Sequence, residues 1–143
     1  MMELAIKEAL NSGNDIPVGA VIVKNGEVIS SAHNEKELLS DVTAHAEIIA
    51  IRRAEEKLGN WRLLDCDMYV TLEPCPMCAW AIIQSGLKSV YFGSYDPNYG
   101  ALGSKLDIRT MANSKLKVYG GIKEAECNKI LEDYFSKIRV KLK

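Results

Sequence analysis

The chain has 143 residues, 48% hydrophobic and 26% charged, with 18 Lys and Arg against 19 Asp and Glu for a formal net charge of −1. Such a balance excludes a disordered chain and gives no global argument for a polyanionic partner; a chain this long buries roughly 70% of its unfolded surface without disulfide staples. The longest strictly apolar stretches, such as 79–83, fall well short of the ~20 residues of a membrane helix.

In chain order, Met2, Ala5, Ile6, Ala9 and Leu10 share one helical face, and the Asn11-Ser12-Gly13-Asn14 cluster ends that helix. Val18 to Val23 is a short β-branched run, Asn25-Gly26 is a two-residue hairpin turn, and Val28-Ile29 resume the partner strand. Thr43 is placed to cap a helix from Ala44 to Leu58, with Glu47 available to close a capping box or to do chemistry. Met68 to Leu72 reads as a third strand, and Pro74 and Pro76 restart the chain as a helix. Ser89 to Phe92 is a fourth strand, followed by a long glycine-containing connection over 94–113 of the kind that often carries function. Lys117 to Tyr119 is a short fifth strand, and Cys127, Ile130, Leu131, Tyr134 and Ile138 mark a final amphipathic helix. Alternating helices and strands without a linker predict a single α/β domain over 1–143.

Two local features bear on partners and compartment. Lys137, Arg139, Lys141 and Lys143 close the chain with no acidic residue among them. They either complement the negative end of a helix or contact phosphates. The start, Met1-Met2-Glu3-Leu4-Ala5-Ile6-Lys7, lacks the charged-then-apolar layout of an export signal, which predicts a cytoplasmic protein with no membrane association. In that reducing compartment a close cysteine pair points to metal or catalysis. Cys75 and Cys78 are such a pair; Cys66 and Cys127 stand alone and read as small buried residues.

The strongest chemical signal comes from two short segments, Thr43-Ala44-His45-Ala46-Glu47 and Thr71-Leu72-Glu73-Pro74-Cys75-Pro76-Met77-Cys78. Cysteines three apart at a helix start present both sulfurs on one face, and the positive helix end favours the ligating thiolate. His45 can complete a His-Cys-Cys set, whose soft donors favour zinc and leave a fourth tetrahedral position for water. Glu47, two residues from His45, reads as a proton shuttle beside the metal and not as a ligand. A purely structural site would need a fourth protein donor, for which His33, Cys66 and Cys127 are the candidates. A redox role for the Cys-x-x-Cys pair lacks a thioredoxin-like context.

These segments resemble the bacterial tRNA-specific adenosine deaminases of the zinc deaminase superfamily. The resemblance extends over Ile16-Pro17-Val18-Gly19-Ala20, Ala32-His33-Asn34, Asn60-Trp61-Arg62-Leu63, Phe92-Gly93, Asp96-Pro97, Gly100-Ala101, Gly103-Ser104 and Tyr134-Phe135. It implies a three-layer α/β/α sandwich around a five-stranded mixed sheet of the cytidine deaminase type, a homodimer, and one Zn2+ per subunit. It further implies hydrolytic conversion of adenosine to inosine at the wobble position of a tRNA anticodon stem-loop. By position, His45, Cys75 and Cys78 match the metal ligands and Glu47 the proton shuttle. Asn34 matches a contact to the flipped-out base, Val18 part of the apolar pocket wall, and Asp96 a loop residue near the anticodon nucleotides. Simpler readings are a turn residue for Asn34, strand core for Val18 and a turn starter for Asp96. The chain departs from the family at Trp80, where a glycine is usual, which bears on helix packing or the dimer contact. The rival activities are deamination of a free nucleobase or nucleoside by the same fold, and a non-catalytic zinc-stabilised RNA-binding module.

Overall fold

The computed structural model describes residues 1–142, and the side chains of residues 1–140. In chain order the elements are α1 (Met2–Ala9), β1 (Gly19–Lys24), β2 (Glu27–His33), α2 (Lys36–Leu39), α3 (Ala46–Leu58), β3 (Cys66–Leu72), α4 (Pro76–Ser85), β4 (Ser89–Ser94), α5 (Ile108–Ala112), β5 (Lys117–Tyr119) and α6 (Glu124–Leu142). The five strands form one sheet in the order β2-β1-β3-β4-β5. β1 runs antiparallel to β2 and β3, while β3, β4 and β5 are parallel, so the sheet is mixed as expected.

Period-two alternation splits the sheet's side chains between two layers. Ala20, Ile22, Met68, Val70, Val90 and Phe92 join Ile49, Ala50 and Ala54 of α3 and Ala79 and Ile82 of α4 in the main core. On the opposite face Val21, Val23 and Tyr69 pack with Met2 and Ala5 of α1 and Cys127 of α6. These two cores make the three-layer α/β/α sandwich. Gly19 is where α1 lies closest to the sheet: a Cβ there would overlap the Ala5 carbonyl. The β1–β2 turn has Asn25 at φ 51° and Gly26 at φ 77°, the left-handed pair a tight hairpin demands.

Several local expectations are corrected. Leu10 follows α1 and is 67% exposed, so the apolar face of that helix ends at Ala9. The third helix starts at Ala46, not Ala44, and Thr43 does not cap it. The Thr43 hydroxyl instead donates to Asp41 Oδ1 at 2.7 Å. The connection over 94–113 contains the short helix α5, capped by Asp107 accepting from the Arg109 amide. The short helix α2 also lies in a stretch read as loop; four residues carry too little periodicity to register. The final helix presents Cys127, Ile130, Leu131, Tyr134 and Ile138 inward as predicted, and its Tyr134 hydroxyl donates to the Asn14 carbonyl at 2.8 Å. In the basic end, the Lys141 side chain and Lys143 lie outside the described residues. Among the described residues, no helix is long and apolar enough to cross a membrane.

This architecture places one location at a premium. The C-terminal ends of the parallel strands β3 and β4 open beside each other, α4 begins just after β3, and α3 points its N-terminus at the same spot. Open α/β sheets bind ligands at such strand ends.

Candidate metal centre and active site

His45 is the N-cap of α3 and Cys75 the N-cap of α4, both in extended conformation, and Pro76 opens α4 at its first position. Cys78 follows in the first turn of α4 and is fully buried. His45 Nδ1 lies 3.7 Å from Cys75 Sγ and 3.4 Å from Cys78 Sγ. A tetrahedral ion with metal–nitrogen and metal–sulfur bonds of about 2.0 and 2.3 Å separates such donors by about 3.5 Å. The three side chains are thus already spaced for one ion, with Nδ1 as the histidine donor. Among the described residues they are the one set of His, Cys, Asp or Glu donors gathered within 4.8 Å of one another.

The alternative fourth donors are elsewhere. Cys66 is buried in the main core and Cys127 in the second one. His33 places Nδ1 2.8 Å from Glu8 Oε2 and Nε2 3.3 Å from Glu35 Oε1, so both ring nitrogens are occupied.

Without an ion, electrostatics favour the ligating thiolate at Cys75 and hold Cys78 and His45 toward their protonated forms. A hydrogen bond from the Cys78 thiol, and then the His45 ring, hold Cys75 down to about 4. Without an ion the pair shares one proton, so Cys78 is pushed up by its bond to Cys75 and by burial. His45 is raised chiefly by its hydrogen bond to Cys75. The N-termini of α3 and α4 both converge here and add positive potential.

Glu47 sits in the first turn of α3 and is 4% exposed. Burial pushes its carboxyl up to about 7. It lines a cavity of about 300 Å³ together with His45 and Cys75. Helix geometry does not stack residues two apart on one face; the reach of both comes from His45 being the cap and Glu47 the first turn.

Asn34, Val18 and Asp96 line the same cavity. The Asn34 Nδ2 donates to the Ile16 carbonyl and its Oδ1 accepts from the Ala46 amide, both at 2.8 Å. Asn34 therefore caps α3 from the end of β2, the task Thr43 was expected to perform. One N–H and one lone pair of its amide are left for the cavity. Val18, just before β1, is 4% exposed; it belongs to the main core and also lines the cavity. Asp96 Oδ1 accepts from the amides of Asn98 and Tyr99 at 3.0 and 3.1 Å, an Asx turn that confirms it as a turn starter at the cavity edge.

Glu73 carries no signal of its own in the sequence, although it stands inside the Thr71-to-Cys78 segment. It is 2% exposed, and its carboxylate accepts from the amides of Asp96, Leu102 and Ser104, each at 3.1 Å, and from the Ser104 hydroxyl. Gly100 packs directly on this carboxylate, where a Cβ would collide with Glu73 Cδ and the Asp96 carbonyl. Glu73 thus fastens the 96–104 loop, and with it Asp96 and Tyr99, beside His45 and Cys75. Lys36 and Tyr99 also line the cavity, and neither stands out in the sequence; only the long loop around Tyr99 gave a signal.

Trp80 is 45% exposed on α4, so the indole points outward and displaces nothing in the chain's own packing. Met77 on the same helix is 38% exposed.

Residues 1–139 match the family model of MafB19-like deaminases. A tRNA-specific adenosine deaminase of Bacillus subtilis (strain 168) is 42% identical, over 99% of this chain and 91% of its own length. One from Agrobacterium fabrum (strain C58 / ATCC 33970) is 43% identical, over 97% of this chain and 94% of its own. A solved structure from work on A-to-I editing by tRNA:A34 deaminases at the wobble position of transfer RNA is 44% identical. It superimposes with a TM-score of 0.84 over 91% of this chain and 97% of that one. With the resemblance read from its motifs thus borne out along nearly its whole length, the chain belongs to the MafB19-like deaminases and, among them, to the tRNA-specific adenosine deaminase family.

Proposed function

We propose that this chain, acting as one deaminase domain in the cytoplasm, hydrolyses adenosine to inosine at the wobble position of a tRNA anticodon. The observation that carries the reading is one cavity lined by His45, Cys75, the buried acid Glu47 and Asn34, with Cys78 Sγ 3.4 Å from His45 Nδ1. The relatives' naming as tRNA-specific adenosine deaminases supports this substrate over a free nucleobase or nucleoside.

His45, Cys75 and Cys78 would hold zinc, whose donor preferences they match. When bound, the ion supplies Lewis-acid activation of a water for attack on C6 of the base. Glu47 moves the protons: it takes one from the attacking water and delivers it to adenine N1, then takes the second from the oxygen now bound to C6 and hands it to the amino group as the C6–N bond breaks, the C6 carbonyl forms and ammonia leaves. Its near-neutral affinity for a proton suits both directions of transfer. Asn34 offers its remaining N–H and lone pair to the base edge, and Val18 supplies an apolar wall. Asp96, with Oδ1 committed to its turn, presents its other oxygen toward the anticodon nucleotides. A base in a single-stranded loop is unstacked at low cost, and the basic residues Lys137 and Arg139 of α6 supply positive field on an otherwise slightly acidic chain. Incubation of the zinc-loaded protein with total tRNA, followed by inosine mapping by mass spectrometry, should find inosine at the first anticodon position. Conversion of free guanine, cytidine or adenosine with no change in tRNA would overturn the proposal.

We assign the dimer contact to the outer face of α4. Met77 and Trp80 lie exposed there, and Leu64, 54% exposed, lies beside Gly86 at the end of the helix, where an added Cβ would meet its Cδ2 at 3.1 Å. Large apolar side chains grouped on a surface mark interfaces. Sedimentation equilibrium should give twice the chain mass for the wild type and a monomer for Trp80→Glu; a monomeric wild type would refute the assignment.

A further inference from the structure

The cavity of about 300 Å³ is at the small end of ligand sites and takes one nucleoside. Any nucleotide next to the target must therefore lie outside it, on the rim. Two rim residues have chemistry suited to that and no role in the reaction. Tyr99 is 70% exposed although it lines the cavity, and its backbone is fixed by the Asp96 carboxylate within the loop that Glu73 fastens. An aromatic ring so exposed on a rigid loop adds nothing to the core. Lys36 lines the same opening as the sole Lys or Arg among the residues around the cavity, and among the described residues it has no ion-pair partner. The carboxyl groups around the cavity are those of Glu47, Glu73 and Asp96. A polyanionic strand therefore meets only one cation at the mouth.

We propose that Tyr99 and Lys36 form a flanking-nucleotide subsite, in which the Tyr99 ring stacks on the base adjacent to the reacting adenosine and the Lys36 ammonium binds the intervening phosphate. The inference rests on the proposed RNA-deaminase function. Single-stranded RNA is held in this way elsewhere, by aromatic faces that accept any base and by point cations on the backbone.

The test is steady-state deamination of an anticodon stem-loop by the zinc-loaded protein. Tyr99→Ala should raise KM by about 5- to 150-fold with kcat little changed, and Tyr99→Phe should restore KM, because stacking needs the ring and not the hydroxyl. An abasic residue placed on one flank of the target should raise the wild-type KM similarly and add nothing to Tyr99→Ala. Lys36→Gln should reduce the slope of log KM against log salt by about 0.7, the signature of one lost phosphate contact on a single strand. Additive losses for Tyr99→Ala with an abasic residue on either flank would overturn the stacking role, and an unchanged salt slope would overturn the phosphate role. These failures differ from failure of the function itself, which would show as a wild-type enzyme inactive on the stem-loop.

Discussion

Glu47→Gln and Glu47→Ala will bind zinc in the same ratio as the wild type and deaminate an anticodon stem-loop about 10²- to 10⁴-fold more slowly in kcat, the factor a positioned acid–base group typically contributes. Metal retention follows from geometry: His45, Cys75 and Cys78 are mutually spaced for an ion without any contribution from Glu47. The loss of rate follows from chemistry, since the amide of glutamine cannot cycle a proton. Metal analysis alongside single-turnover kinetics separates the two effects. A zinc-loaded Glu47→Gln protein within a few-fold of wild type would remove Glu47 from proton transfer. A second readout comes from stability without metal. Burial raises the Glu47 carboxyl from 4.5 to about 7 in the folded protein. A raised acid favours the folded state while it is protonated, and that contribution is lost as the pH climbs from 4.5 through 7. After chelation, the Tm of wild type relative to Glu47→Gln should therefore decline over that window. A difference that stays constant with pH would show that the carboxyl is not held protonated by its burial.

The fold and the metal set were legible in the sequence for different reasons. The α/β layering was readable because helices alternate with strands along the chain, while the three-layer, five-stranded form followed from the resemblance; the structure puts Val21 and Val23 in one layer and Ala20 and Ile22 in the other. The His45-Cys75-Cys78 donor set was readable because the chemistry of thiolates at a helix start is local. Local signals failed where a distant partner took over. Thr43 has the composition of a helix cap, yet Asn34 occupies that place from the neighbouring strand, twelve residues before Ala46. Asn34 shows the same thing in reverse: its resemblance to a substrate contact was visible, while its two structural bonds were not. Lys36 and Tyr99 had no signal of their own, because a half-buried lysine in a four-residue helix and a tyrosine in a turn acquire meaning only from the opening they share.

Glu73→Ala is expected to be the most destabilising single substitution near the site, although Glu73 is not one of the three metal ligands. Its carboxylate accepts three amides and one hydroxyl in a buried setting. Truncation leaves those donors facing a void, and each unsatisfied buried donor costs about 1–3 kcal/mol, so a loss of at least about 3 kcal/mol should follow even if water or loop movement recovers part of it. Urea unfolding of the zinc-loaded protein measures it. Glu73→Gln keeps the volume and one acceptor oxygen but turns an NH2 group toward amide donors, so it should recover only part of the stability. The loop should then loosen while α4 and its cysteines stay in place, so metal content remains and KM for RNA rises more than kcat falls. Coupling to Ser104→Ala locates the effect. Because the Ser104 hydroxyl donates to this carboxylate, the double variant should be clearly less destabilised than the sum of the single ones. Strict additivity, or loss of zinc from Glu73→Gln with the loop still protected in hydrogen exchange, would mean that Glu73 supports the ligand segment and not the 96–104 loop. The physical reason to expect otherwise is the direction of its bonds: all four donors to the carboxylate come from that loop, and Gly100, having no side chain, lets the loop lie directly on it.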